Sequence, residues 1–288
     1  MRTVERAPQL RAALLGWRRR RLSVGYVPTM GYLHEGHLSL VRRSQAENDR
    51  TVVSIYVNPL QFGPREDLAS YPRNLSGDRA LLTRQGTDLL YVPRTADLYP
   101  SGHTTRVSVP ALTGVLCGPS RPGHFEGVAT VVLKLLHRVA PDTLYLGLKD
   151  YQQYRVVERM VRDLDVPVRV AGCPIARDTD GLALSSRNVR LSRQERLQAP
   201  ALRLALLRGR ELVRQGETAP GRIRNEMARS FRRAAPAGRV DYFDVVRAAD
   251  LRRMVKLTPV DPICLAGAVR FGRTRLIDNE IVPASNGR

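Results

Sequence analysis

Two of the five histidines of this 288-residue chain, His34 and His37, stand either side of Gly36 at the end of the run Pro28-Thr29-Met30-Gly31-Tyr32-Leu33-His34-Glu35-Gly36-His37. Ring N–H groups donate hydrogen bonds, and glycine lets a main chain come close to what it binds. The run leaves a β-branched segment and enters one with helical period. A helix start there offers unpaired N–H groups and the positive end of its dipole to an anion. A phosphate site follows from these residue types in this order. Capping or surface histidines are the plain alternative, disfavoured by the pairing around a glycine at a strand-to-helix turn, and a zinc pair lacks a third ligand nearby in sequence. Lys149 is a second candidate. Of 47 lysines and arginines, only Lys134, Lys149 and Lys256 are lysine, and a compact, flexible ammonium does what a planar guanidinium cannot. Lys149 could follow charge developing on phosphate oxygens, or be a solvated loop lysine; spacing alone does not choose. Asp150 beside it could accept from ribose hydroxyls or cap the next helix. Ser185-Ser186-Arg187 brings hydroxyls and a guanidinium suited to phosphate, although such a triplet is common in loops.

The elements that must position these groups are legible from periodicity. Short β-branched runs at 24–27, 51–57, 88–92, 143–146 and 168–170 alternate with helical patterns at 37–47, 76–85, 127–139 and 151–164, the signature of a parallel sheet flanked by helices. Five strands predict a Rossmann-like α/β domain over residues 1–175. Ligands of such sheets bind at the carboxyl ends of the strands, which directs attention to the loops after Val27, Val57 and Leu146. Beyond about residue 175 the pattern becomes helix first and strands later. Ser192 with Glu195 forms a capping box, Pro200 opens a second helix running to Val213, and strands are expected at 240–246, 263–269 and 274–277. Residues 176–288 are thus expected to form a smaller α+β domain, entered through the polar loop 177–188, a hinge or ligand clamp.

Composition narrows the classes. A formal net charge of +20 would suit nucleic acid, but the arginines are dispersed at helical spacings, only Arg18 to Arg21 form a run, and no aromatic residues are interleaved for base stacking. No stretch reaches the roughly 20 apolar residues that span a bilayer, and the N-terminal region ends in arginines where a signal peptide has its apolar core. A cytoplasmic enzyme without nucleic-acid or membrane partners is expected. Cys117, Cys173 and Cys264 are odd in number and far apart, which points to neither a disulfide framework nor a zinc site.

The His34-Glu35-Gly36-His37 turn resembles the signature of the nucleotidyltransferase superfamily that includes class I aminoacyl-tRNA synthetases, and the longer run resembles the pantothenate synthetase family. Val57-Asn58-Pro59-Leu60-Gln61-Phe62-Gly63, Glu66-Asp67-Leu68 with Tyr71-Pro72-Arg73, His124-Phe125-Glu126-Gly127-Val128, Gly147-Leu148-Lys149-Asp150-Tyr151-Gln152-Gln153 and Leu184-Ser185-Ser186-Arg187-Asn188 resemble it too, in the family's order. The likeness runs from residue 24 to about 191. It implies a ligase that uses ATP and Mg²⁺ to couple D-pantoate to β-alanine, and a homodimer. It also implies an ATP site made of Met30 to His37 (Met30, Gly31, Tyr32, Leu33, His34, Glu35, Gly36, His37), of Gly147, Leu148, Lys149 and Asp150, and of Ala176, Leu184, Ser185, Ser186 and Arg187. His37, His34 and Lys149 would be catalytic, Gln61 and Gln153 would hold pantoate, and Asp78 would lie near magnesium.

The implied reaction begins with attack of the pantoate carboxylate on the α-phosphate. Closure of the C-terminal domain would keep water from the pantoyl-adenylate until the β-alanine amine displaces AMP. An adenylyltransferase that stops at a dinucleotide would share the histidine turn but have no use for an amine. A basic nucleic-acid-binding module would instead be retained on DNA well above physiological salt. Two positions depart from the family pattern. Leu184 replaces a usual methionine at constant volume, whereas Leu148 replaces a usual glutamate and removes a charge beside Lys149.

Overall fold

The structure, a computed structural model, describes residues 1–64, 66 and 68–284. Asp67 of the Glu66-Asp67-Leu68 motif lies outside the described residues. Contacts gather the chain into two compact units: Met1–Pro110 with Ser120–Leu148 and Val156–Pro174, and Ala111–Pro119 with Lys149–Arg155 and Ile175–Arg288.

The first unit is built on a parallel sheet of β1 (Arg2–Val4), β2 (Val24–Thr29), β3 (Arg50–Ile55), β4 (Leu89–Tyr91), β5 (Thr143–Gly147) and β6 (Arg169–Cys173), in the order β1-β4-β3-β2-β5-β6. Six strands form it where five were expected. β1 is the addition, pairing in parallel with β4 from Arg2 opposite Leu89 to Val4 opposite Tyr91. The central strands are buried almost throughout, as in sheets with no face left to water. Helices α1 (Ala7–Arg19), α2 (Glu35–Glu47), α3 (Leu75–Arg84), α4 (Thr95–Leu98) and α6 (His124–Val139) interleave with the strands, whereas α5 (Pro110–Thr113) falls largely in the second unit and α7 (Tyr151–Asp163) belongs to the first unit only from Val156 onward. α1 is an addition to the helices expected from periodicity; only Leu10 and Leu14 along it are buried. Val27, Val53, Leu90 and Tyr145 of the sheet meet Leu40 and Val41 of α2 in one apolar core.

The second unit contains α8 (Arg193–Gln198), α9 (Ala201–Arg214), α10 (Pro220–Ala234) and an antiparallel sheet of β7 (Gly238–Arg247), β8 (Ile263–Phe271) and β9 (Thr274–Val282), in that order. Ser192 caps α8 reciprocally with Glu195, as the sequence indicated. Leu202 and Leu206 of α9 and Ile223, Met227 and Phe231 of α10 pack with Val245, Leu265 and Phe271 of the sheet. No helix among the described residues is long and apolar enough to cross a membrane.

Candidate active site

β2 is a central strand, so the chain leaving its carboxyl end at Thr29 emerges at the ligand edge of the sheet. The turn to α2 is tightly bonded. Gly31 at φ +83° and Tyr32 at φ +52° both adopt left-handed backbone, unusual for tyrosine. The Gly31 N–H donates to Thr29 Oγ1 (3.2 Å), and the Tyr32 and Leu33 N–H groups donate to the two oxygens of Asp78, at 2.8 and 2.7 Å. His34 is the N-cap of α2. Its Nδ1 accepts from the Gly36 N–H (3.1 Å), while the His34 N–H donates to His37 Nδ1 (3.3 Å), a reciprocal capping box made from two histidines. Their ring centroids are 4.1 Å apart.

An Nδ1 that accepts a main-chain N–H must keep its lone pair, so in the neutral rings the proton sits on Nε2. Both imidazoles are thereby set as Nε2–H donors. The sequence pointed instead to unpaired backbone N–H groups as the anion's partners. In the structure the N–H groups of Gly31, Tyr32, Leu33, His34 and Gly36 all have acceptors within the chain, so these five are engaged in holding the turn and the ring Nε2–H groups add to what it can offer an anion.

Asp78, in the first turn of α3, is 3% exposed. Burial raises its pKa and outweighs the opposing pull of the Leu33 and Tyr32 N–H groups. Both oxygens are engaged by the turn, and the described residues contain no group of three His, Cys, Asp or Glu able to hold a metal ion.

Gln61 ends a 3-10 turn, Pro59–Gln61, and is buried. Its amide NH₂ donates to Met30 Sδ, its carbonyl oxygen accepts from His124 Nδ1 (2.7 Å), and its side-chain oxygen faces Asn58 Nδ2 (3.4 Å). Asn58 Nδ2 also donates to the Gly127 carbonyl (3.0 Å), and Asn58 Oδ1 accepts from the Tyr99 hydroxyl (2.9 Å). At Gly127 α6 approaches this turn so closely that a Cβ would stand 2.3 Å from the Leu60 carbonyl oxygen and 2.6 Å from the Gln61 nitrogen. The His124-Phe125-Glu126-Gly127 motif therefore works as the seat of Gln61. The sequence carries no local signal that Asn58, Tyr99 and His124 converge here.

In the second unit, Lys149 lies in the 3-10 turn Leu148–Asp150 that follows β5, and its carbonyl accepts from Asn279 Nδ2 (3.0 Å). Asp150 belongs to this turn directly ahead of α7. Of the two following glutamines, Gln152 is buried and structural: it donates to the Leu112 and Val115 carbonyls and accepts from the Cys117 N–H. Gln153 is half-buried. The segment read as a polar loop is a hairpin. The Leu184 N–H donates to the Ala176 carbonyl (2.9 Å), the Asp178 N–H to the Leu182 carbonyl (2.8 Å), and Arg177 bridges to Ala183. Ser185 caps the 3-10 turn Ser186–Arg190 by accepting from the Arg187 N–H (3.3 Å).

A parallel sheet with a paired-histidine turn at the carboxyl end of a central strand defines an α/β enzyme of the nucleotide-handling class. The family profile for pantoate-beta-alanine ligase matches residues 2–281. A pantothenate synthetase of Halalkalibacterium halodurans is 49% identical over 274 residues, 95% of this chain and 96% of that protein. The crystal structure of pantothenate synthetase from Thermus thermophilus superposes with a TM-score of 0.89 at 49% identity, covering 97% of this chain and 99% of the other. That of a pantoate-beta-alanine ligase from Francisella tularensis, described as complexed with beta-gamma ATP and beta-alanine, gives 0.79 at 33% identity over 98% and 97% of the two chains. The chain belongs to the pantoate–β-alanine ligase family. It is an ATP-using ligase that forms pantothenate from pantoate and β-alanine.

Proposed function

We propose that the site residues divide this reaction as follows. Gln61 and Gln153 hold pantoate by neutral amides, which can donate and accept without permanently neutralising the attacking carboxylate. One carboxylate oxygen attacks the α-phosphorus of ATP. The bond to the bridging oxygen breaks, and pyrophosphate leaves with the electron pair. The Nε2–H groups of His34 and His37, the Lys149 ammonium and the Ser185-Ser186-Arg187 segment stabilise charge as it builds on the phosphate oxygens. The β-alanine nitrogen then attacks the activated carbonyl carbon, the acyl carbon–oxygen bond to AMP breaks, and the amine gives its proton to solvent. Alignment of the reactants carries much of the acceleration, since no covalent enzyme intermediate is needed.

The observation that carries these assignments is the reciprocal histidine cap, which sets both rings as Nε2–H donors at the ligand edge of the sheet. Magnesium enters as part of the nucleotide substrate, held mainly by phosphates and water, while Asp78 braces the turn. A homodimer working in the cytoplasm completes the proposal; the boundary expected at residue 175 is not a clean one, because Ala111–Pro119 and Lys149–Arg155 gather with the second unit. The test is AMP release from ATP, Mg²⁺ and D-pantoate, with and without β-alanine, in the parent and in His37→Ala. AMP should require both substrates and fall by roughly 10²- to 10³-fold in the variant. A His37→Ala variant within a few-fold of the parent would remove His37 from the chemistry, and pyrophosphate release without β-alanine-dependent AMP would point to an enzyme that only adenylylates.

A further inference from the structure

Aspartate and asparagine are depleted from strands, yet Asp278 and Asn279 stand side by side in the middle of the nine-residue β9, each 4% exposed. Burying an ionised carboxylate and a primary amide is costly unless both are satisfied, and an apolar pair would serve the adjoining core better. Their partners explain them. Successive residues of a strand point to opposite faces, so the two side chains reach two different segments.

Asp278 takes the guanidinium of Arg177 in a bidentate pair at 2.7 and 2.9 Å, and Arg177 also donates to the Gly181 carbonyl (3.0 Å). Arg177 is at the base of the hairpin that delivers Ser185-Ser186-Arg187, and the 3-10 turn Ser186–Arg190 packs directly on β9. Asn279 sends its side-chain N–H to the carbonyl of Lys149 (3.0 Å), while its main-chain N–H donates to Asp278 Oδ1 (2.8 Å). One step along β9 therefore fastens both segments of the second unit to which phosphate chemistry is assigned. The strand is itself in register with β8, with Asp278 opposite Gly267 and Asn279 opposite Ala266.

We infer that Asp278 and Asn279 are positioning residues for the adenylation half of the reaction, setting where the Lys149 ammonium and the Ser185-Ser186-Arg187 segment stand relative to each other. The inference rests on the roles proposed above for those segments. In this proposal both act at one remove from substrate. Asn279 acts through the main chain of Lys149, and Asp278 through Arg177 and the hairpin.

The experiment measures two half-reactions separately: pantoate-dependent exchange of labelled pyrophosphate into ATP, and amide formation when β-alanine is added to enzyme with separately prepared pantoyl-adenylate. Asn279→Ala should lower the exchange kcat by roughly ten- to a hundredfold, the scale of a misplaced catalytic group, and leave amide formation within about twofold of the parent on that scale. Asn279→Asp keeps the shape but cannot donate to a carbonyl, and should behave the same way. It serves if Asn279→Ala folds poorly. Asp278→Asn should raise the KM for ATP more than it lowers kcat. Exchange by both Asn279 variants at parental rates would overturn the inference, as would an equal fall of both half-reactions with a lower melting temperature, which marks a merely structural role. A parent without pantoate-dependent exchange would instead overturn the functional assignment beneath it, and a Lys149→Ala variant at parental rate would dismiss Lys149 itself.

Discussion

Asp78 commits both carboxylate oxygens to the N–H groups of Tyr32 and Leu33, so the left-handed backbone that aims His34 and His37 depends on a side chain some 45 residues further on. A carboxylate ligating magnesium would be oriented by the ion, whereas this one is oriented by the turn. The two roles separate in Asp78→Asn, which keeps the shape but offers one oxygen for two N–H groups. Loosening the turn should cost adenylation roughly ten- to a hundredfold without moving the Mg²⁺ concentration for half-maximal rate. A shift of that midpoint to higher Mg²⁺ would restore Asp78 as a metal ligand. Stability should follow a different course from activity. Burial leaves the folded pKa of Asp78 above its unfolded value. The folded chain then holds this proton more tightly than the unfolded chain, and ionisation withdraws stability as pH rises through that range. At neutral pH the asparagine escapes that cost while losing one acceptor, so thermal melting should place the variant within a few degrees of the parent although its rate has fallen.

Elements were legible where the chain shows a clear period and hidden where a short or arginine-rich segment blurs it. β1 is three residues long, too short to show alternation, and becomes a strand only because β4 offers it an edge. α1 and α10 bury narrow stripes, Leu10 and Leu14 in one and Ile223, Met227 and Phe231 in the other, among many arginines. The histidine turn was visible because its chemistry is local in sequence. The seat of Gln61 was not, because it joins Asn58 to Gly127 across 69 positions. That contact makes Gly127→Ala a sensitive probe. Its Cβ cannot fit against the Leu60 carbonyl, so α6 and the Gln61 turn must part, at about 1–3 kcal/mol of stability, and the KM for pantoate should rise while that for ATP changes little. Equal shifts in both would disconnect Gln61 from pantoate. A second probe concerns the end of α2, where Glu47 accepts from Arg43, Arg169 and the Tyr145 hydroxyl and its pKa is held down to about 2. A depressed carboxylate contributes stability above its unfolded pKa and loses it as pH falls through the folded one. The melting-temperature gap between the parent and Glu47→Gln should therefore be full at pH 6 and close between about pH 4.5 and 2. A gap independent of pH would mean that the carboxylate's charge plays no part.

Across the whole molecule, 47 basic against 27 acidic residues leave a surplus that internal pairing cannot absorb. Some arginines are structural, as in Arg177 with Asp278, Arg203 and Arg210 with Glu280, or Arg275 with Asp241. The remainder give the molecule a net positive field. Such a field still acts on small ions: it raises the local concentration and capture rate of anionic substrates, and salt screens it over about 8–10 Å at 0.1–0.15 M ionic strength. The substrates of this family supply an internal control, because ATP and pantoate are anions while β-alanine is a zwitterion with no net charge near neutral pH. Raising ionic strength from low to well above physiological should increase the KM of ATP and pantoate several-fold and leave that of β-alanine nearly flat, with kcat little changed, since contacts inside an occupied site are screened much less. Steady-state kinetics in sodium chloride, repeated in a second monovalent salt to exclude ion-specific inhibition, measures this directly. If all three KM values rise together, salt is acting on the protein itself and the surplus arginine has no part in collecting substrate.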